Sequence, residues 1–160
     1  PSADAAVGCA AMAFKKGDID GSVKFFDEAI NLETDNAKKA DNAYKAASVL
    51  ASAKKLSQAR SYAQKAISFN ENFGAPYILI AQLYAGNYKW NDEPALNKCT
   101  FFAAIDKLQR AKAVDPSVAE EANKLISSYT PEAKDLFMLG YKAGDRITIG
   151  GWIGETTTIR

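Results

Sequence analysis

An all-α stack of about three helical hairpins, closed by a capping helix and followed by a short C-terminal β-hairpin, is predicted by three observations. Small and large apolar residues recur with one spacing at Ala6, Cys9, Ala10, Ala13, Ser22, Phe26 and Ala29, then at Ala43, Ala46, Ala47, Leu50, Ala59, Ala63 and Ala66. A third copy follows at Tyr77, Ile80, Ala81 and Tyr84 and, after an inserted stretch, at Ala104, Leu108 and Pro116. Self-similarity at a fixed period marks a repeat architecture. Within each copy the apolar positions fall at three- and four-residue steps, the period of a helix with one buried stripe. Composition then changes after Gly144, where Ile147, Ile149, Trp152, Ile153 and Thr156-Thr157-Thr158 bring in β-branched and aromatic residues.

In the first copy the spacing predicts one helix over Ala3 to Lys16 and a second over Ile19 to Leu32, with Gly17-Asp18 as the stop between them. Ile19, Val23, Phe26 and Ile30 make the stripe of the second helix, and Phe26 is its largest anchor. Thr34-Asp35 are good N-caps for a second pair, over Asn36 to Ala53 and Leu56 to Asn70. Tyr77 follows Ala43 by 34 residues, whereas Ala43 follows Ala6 by 37, so an extra helical turn is expected at Ala37 to Lys39. The third pair opens with Pro76 near the first helical position, where its missing N–H is harmless, and runs to Ala85. Gly86 to Asp92 reads as a loop carrying Tyr88 and Trp90, which either fold back on the helix pair as a local lid or form part of a binding surface. Asp92, Glu93 and Pro94 read as the start of a long helix to about Val114.

Ser117-Val118-Ala119-Glu120 has the form of a capping box, which places a capping helix over Val118 to Tyr129. Thr130-Pro131 then predicts a short helix to Leu139. In the tail either Gly150-Gly151 is a two-residue turn, or the first strand continues through Trp152 and turns at Gly154-Glu155; the second leaves strands of similar length and is preferred. The expected organisation is a helical domain over 1–139, with repeats at about 3–36, 37–73 and 74–116 and capping helices over 117–139, then a hairpin tail over 140–160.

The 160 residues are 48% hydrophobic and 24% charged with a net charge of +1, ordinary values for one soluble domain. Lys and Arg alternate with Asp and Glu instead of clustering, so nothing points to nucleic acid. The longest apolar run, Ala75 to Ala85, is broken by Gln82 and is far short of the ~20 residues that span a bilayer. Cys9 and Cys99 fall in different repeats and are read as small buried residues without a disulfide. The chain begins at Pro1 without Met, which implies removal of an upstream segment, a signal peptide among the candidates.

Residues 3 to 116 resemble the tetratricopeptide repeat family, the third copy showing its aromatic, aliphatic, small and Pro positions together. The first two copies depart from the pattern in having Ala6 and Ala43 where a large residue usually opens the first helix. The ending Gly-Gly-Trp-Ile-Gly-Glu-Thr-Thr-Thr-Ile-Arg, with the preceding Ala-Lys-Ala-Val-Asp-Pro-Ser-Val-Ala-Glu-Glu-Ala, is similar to bacterial members of unassigned function. Many of those look exported, which implies an extracytoplasmic location. The resemblance implies a superhelical scaffold whose first helices line a concave groove for a peptide or the surface of another protein. By position that groove includes Val7, Ala11 and Phe14, then Asp41, Tyr44 and Ser48, then Ile78 and Gln82. One subclass grips a C-terminal carboxylate through Lys, Arg and Asn at such positions. Val7, Tyr44 and Ile78 stand there instead, so no carboxylate clamp is expected. Val7 and Ile78 could equally pack on a neighbouring helix.

Catalysis has little support. Without His the chain lacks the usual base near neutral pH and the commonest metal ligand, and neither Cys has a second Cys at ligand spacing. Adjacent acids such as Asp27-Glu28 and Glu120-Glu121 diverge around a helix. The tail glycines are not followed by the helix N-terminus a phosphate loop requires. No enzyme activity, cofactor, metal or membrane insertion is expected. The partner is an unidentified protein or peptide, with Tyr88, Trp90 and Trp152 as a possible secondary surface. Self-association through the hairpin is the alternative, with the chain as the structural C-terminal module of a longer array.

Overall fold

Three helices end in the same way, and their ends show how this sequence turns corners. A computed structural model describes residues 1–160, with nine α-helices, one 3₁₀ turn and a two-stranded antiparallel sheet. Helix α1 (Ala3–Lys15) begins at Ser2, whose Oγ accepts from the Ala5 N–H at 3.1 Å. It ends where Gly17 takes φ +81°, with the Gly17 and Asp18 N–H groups donating back to the Phe14 and Ala13 carbonyls, the paired bonds of a Schellman motif. Helix α2 (Ile19–Leu32) starts from an Asp18 side-chain cap. Helix α3 (Asn36–Ser52) is 17 residues long against 13 for α1, the extra turn expected from the stretched repeat spacing. It closes in a second Schellman motif in which Lys54 holds the left-handed position at φ +58°. Gly140, at φ +98°, closes the third.

A side chain in the left-handed region costs roughly 1–2 kcal/mol, which glycine avoids at some expense in unfolded-chain entropy. Lys54→Gly is therefore expected to stabilise the protein by about 0.5–1 kcal/mol, a rise of roughly 1–3 °C in Tm by calorimetry. A lowered Tm would show that the Lys54 side chain contributes more than its backbone strain removes.

The chain divides into two compact units, Pro1–Leu79 and Ile80–Arg160, the division falling within α5 (Ala75–Gly86). The first unit is built by α1, α2, α3 and α4 (Leu56–Phe69), each packed on the next. Alanine makes this possible: Ala6, Ala10 and Ala13 on α1 and Ala59, Ala63 and Ala66 on α4 are buried, so helix backbones can approach closely around a few large residues. One cluster sets Phe26 among Ala10, Ala46 and Val49, and another joins Ile30, Ala43 and Ala66. The hydroxyl of the fully buried Ser22 donates to the Ala10 carbonyl at 2.8 Å, tying α2 to α1.

Tyr62 on α4 donates its hydroxyl to the Asp27 carboxylate on α2, 2.8 Å from either oxygen. Burial, with the Asp27 hydrogen bond and charge added, pushes the phenol from 10.0 up to about 12. Below pH 10 the phenol is protonated in both states and its contribution is complete. Between 10 and about 12 only the unfolded chain releases the proton, so stability falls with rising pH across that window. Tyr62→Phe is expected to lower stability by about 1 kcal/mol at neutral pH and to flatten this alkaline loss. Urea unfolding at neutral pH and midway through the window checks both, and an unchanged alkaline slope would contradict the assignment.

The second unit contains the end of α5, the inserted loop, α6 (Pro94–Asn97), α7 (Cys99–Val114), α8 (Ala119–Tyr129), α9 (Lys134–Met138), β1 (Arg146–Thr148) and β2 (Thr156–Thr158). Several expectations are corrected here. The long helix from Pro94 is broken at Lys98, where the Lys98 N–H bonds to the Ala95 carbonyl and α7 starts afresh. The capping box at Ser117 does not form, because Asp115 takes the cap: its Oδ1 accepts from the Ser117 N–H at 3.1 Å and from the Ser117 hydroxyl at 2.5 Å, and a 3₁₀ turn over Pro116–Val118 precedes α8. The helix placed after Thr130-Pro131 begins only at Lys134.

Neither expected hairpin turn is observed. Arg146, Ile147 and Thr148 pair with Thr158, Thr157 and Thr156, which leaves a seven-residue connection, 149–155. Its ends are held by the Ile149 N–H on the Glu155 carbonyl at 2.8 Å, and Gly151 and Gly154 both take positive φ. A wide loop forms because Ile149 and Ile153 are buried while the glycines supply the reversals. Ile159 is buried with them, and Leu136 is the fully buried residue of α9. No helix is long and apolar enough to cross a membrane.

Candidate functional site

The predicted groove lies on the first helix of each hairpin, and burial now separates its members. On α1 the stripe Ala6, Ala10 and Ala13 faces inward. Val7, beside it, is half-buried and packs against the Phe26 cluster. Ala11 is exposed, and Phe14 keeps 42% of its surface in solvent. On α3, Asp41 is exposed and ion-paired to Lys45 one turn on at 3.0 Å. Tyr44 is half-buried, edge-on to Phe73 with centroids 5.4 Å apart, and packs against the Ile30 cluster. The Ser48 hydroxyl donates to the Tyr44 carbonyl at 3.0 Å and so is satisfied within its own helix. Ile78 is only 4% exposed and offers a ligand no surface, because α5 is apolar around nearly its whole circumference. Gln82, in the second unit, is exposed.

Sequence reading missed Met12, which is 60% exposed, and misjudged Cys9, which is exposed and lies one position off the buried alanine stripe. Both line a cleft of about 290 Å³ with Ala13, Lys16, Asp18 and Phe25. The available signal was that α1 carries Val7, Met12 and Phe14 outside its alanine stripe, more apolar surface than one buried face requires.

In the second unit the inserted loop is organised by Asn97, a residue that sequence reading passed over as part of a helix. It is 8% exposed. Its Oδ1 accepts from the Trp90 and Asn91 N–H groups at 2.8 and 2.9 Å, and its Nδ2 donates to the Asn91 carbonyl at 2.9 Å. Thr100 Oγ1 donates to the Tyr88 carbonyl at 2.8 Å. The three aromatics assigned to a secondary surface are all half-buried. Tyr88 stacks at a tilt on Phe101, and Trp152 meets Tyr84 edge-on at 5.4 Å. Trp90 lies so close to Gly150 that a Cβ there would sit 2.8 Å from its ring.

The hairpin is docked on α7 of its own chain. Thr157 Oγ1 donates to Asp106 Oδ2 at 2.6 Å, Arg160 pairs with Asp106 Oδ1, and Lys107 pairs with Glu155 at 2.6 Å.

Burial pushes the Cys99 thiol up to about 11, with the Asp135 carboxylate adding to the effect, which keeps it an unreactive thiol at neutral pH. Burial also raises Tyr129, and the hydrogen bond from Lys98 lowers Asp135. No group of three or more His, Cys, Asp or Glu side chains is placed to hold a metal ion.

No family model and no curated protein significantly matches the chain. Among solved structures, the chain is similar to the TPR2B domain of yeast Sti1 in its pHsp70 complex, at 23% identity and a TM-score of 0.60, over 79% of this chain and 94% of that one. At that identity the likeness is one of fold, and the protein has the tetratricopeptide-repeat-like fold that its small-residue code implied.

Proposed function

We propose that the protein is a noncatalytic scaffold that binds a peptide or a protein surface along the first helices of its hairpins. The observation that carries this reading is Phe14, a large aromatic left 42% exposed on α1 with the exposed Ala11 and the half-buried Val7 on the same face, while Met12, 60% exposed, flanks the buried alanine stripe on its other side. Exposed apolar groups gathered in one place mark interaction surfaces more often than isolated ones do. The fold supports the reading, because the similar yeast domain is described in a complex of its own. Val7 and Tyr44, both half-buried, stand where a carboxylate clamp has cations or amides, so contact with the partner at these positions is apolar.

Affinity capture from the native organism's extract tests this with wild type, a Met12→Ala and Phe14→Ala double variant, and Trp152→Ala. The double variant is expected to lose a partner that wild type and Trp152→Ala retain. Loss of partner or of self-association in Trp152→Ala alone would instead assign binding to the hairpin. Both α1 side chains are exposed, so the double variant should melt within about 0.5 kcal/mol of wild type.

A further inference from the structure

The inserted loop of the second unit carries a cleft that is independent of the α1 surface. Tyr88, Phe101 and Tyr129 come from the loop, α7 and α8 and stand in series, with successive ring centroids 5.1 and 5.9 Å apart and tilts of 38° and 55°. All three residues are half-buried. Tyr88 and Phe101 line a cleft of about 690 Å³ together with Lys89, Asn91, Asp92 and Pro94. Its walls are fixed in advance by the Asn97 and Thr100 hydrogen bonds and by the packing of Trp90 on Gly150. A site held in this way avoids most of the ordering cost of binding.

The polar groups left to a ligand narrow its chemistry. The Trp90 and Asn91 backbone N–H groups are already taken by Asn97. Lys98 is tied to Asp135 at 2.7 Å and to the Glu132 carbonyl. The Tyr88 hydroxyl, Asn91 Nδ2 and the Lys89 ammonium remain as hydrogen-bond donors, against the Asp92 carboxylate as the one charged acceptor. Lys89 sits 5.9 Å over the Tyr88 ring and has no acidic partner. Asp92 likewise has none, so the two unpaired charges cancel and the lining favours neither a polyanion nor a polycation. The complement is a neutral ligand with exposed acceptors and flat apolar faces.

We propose that this cleft binds a proline-rich extended segment of a partner protein. Proline has no N–H, so such a segment presents carbonyl acceptors without competing donors, and it enters the bound state already stiffened as a polyproline II helix. A segment of this kind can lay pyrrolidine faces over Tyr88 and Phe101, whose centroids are 5.1 Å apart, and aromatic grooves accept such faces.

Titration of the whole protein with decaproline, followed by amide NMR shifts, tests the proposal against a Gly-Ser peptide of equal length, an oligoglutamate and an oligolysine. Decaproline alone is expected to give saturable shifts at Tyr88, Lys89, Asn91 and Phe101. Tyr88→Ala should weaken the binding about tenfold. Tyr88→Phe, which keeps the ring and removes one donor, should weaken it by a smaller factor with the fold intact, and decides the matter if Tyr88→Ala disturbs folding. Phe14→Ala should leave it unchanged, which keeps this site separable from the α1 surface. No saturable response to decaproline, an unweakened Tyr88→Phe, or equal binding of either charged peptide would overturn the proposal.

Discussion

Phe26→Ala is expected to destabilise the protein by about 3–5 kcal/mol, because a buried phenyl ring is replaced by a void that its surroundings cannot close. Phe26 is 4% exposed, with Ala10, Ala46 and Val49 around it and Val7, Ile19, Val23, Phe25 and Tyr62 at the rim. Two of its three buried neighbours are alanines, which have no side chain long enough to swing into the gap. Collapse would have to move whole helices, and the Ser22 bond to the Ala10 carbonyl and the Tyr62 bond to Asp27 hold them in place. The loss is a large share of the ~5–15 kcal/mol that keeps a domain folded.

A probe for each unit is already present. Both tryptophans, Trp90 and Trp152, lie in Ile80–Arg160, whereas the helices of both units contribute to far-UV circular dichroism. In urea the dichroism midpoint of Phe26→Ala should fall well below that of wild type. The tryptophan midpoint should fall less, because stability in repeat proteins is largely a sum over neighbouring units. An unchanged dichroism midpoint would remove Phe26 from the core and with it the repeat register.

The helical hairpins of the first unit were legible because their signals are local. Gly17 stops α1, Asp35 caps α3, and alanines at helical spacing leave one solution for which faces meet. The same logic anticipated the extra turn of α3. It failed where a second local cap, or burial set elsewhere in the chain, outweighed the motif that was read. Ser117 has the residues of a capping box, yet Asp115 reaches the same N–H first. The hairpin connection could not be read from its turn glycines, because the burial of Ile149 and Ile153 decides the register and alternation within the tail does not show that demand.

At the candidate site, repeat position names residues on α1, α3 and α5 but does not give the exposure of each one. Ile78 is buried on an α5 that is apolar around nearly its whole circumference, and Tyr44 packs against Phe73, so neither is the free groove anchor that repeat position implied. The polar bonds of Asn97 run to loop backbone six and seven residues away and leave no trace in periodicity. The same holds for Asp106, which reads as an ordinary charge on α7 and meets its partners only after 51 and 54 residues of chain.

Asp106→Ala is expected to release the hairpin while leaving α7 folded. An isolated two-stranded hairpin is marginal in water, so β1 and β2 depend on what they dock against. Asp106 accepts from the Thr157 hydroxyl and from Arg160. Thr157 is 3% exposed, so removing its acceptor strands a buried hydroxyl, at about 1–3 kcal/mol, while the better helix propensity of alanine returns only a few tenths. The net loss of about 2 kcal/mol falls on the hairpin, where Lys107 with Glu155 and the buried Ile149, Ile153 and Ile159 remain as anchors. Amide exchange reads it directly: the Ile149 and Ile159 N–H groups, bonded to the Glu155 and Asp145 carbonyls, should lose protection by about thirtyfold, while amides in the middle of α7 keep theirs. Asp106→Asn keeps an acceptor for Thr157 and loses only the charge, so it should fall between the two. Equal protection in all three proteins would show that the isoleucines alone hold the hairpin down, and that Asp106 is an incidental neighbour.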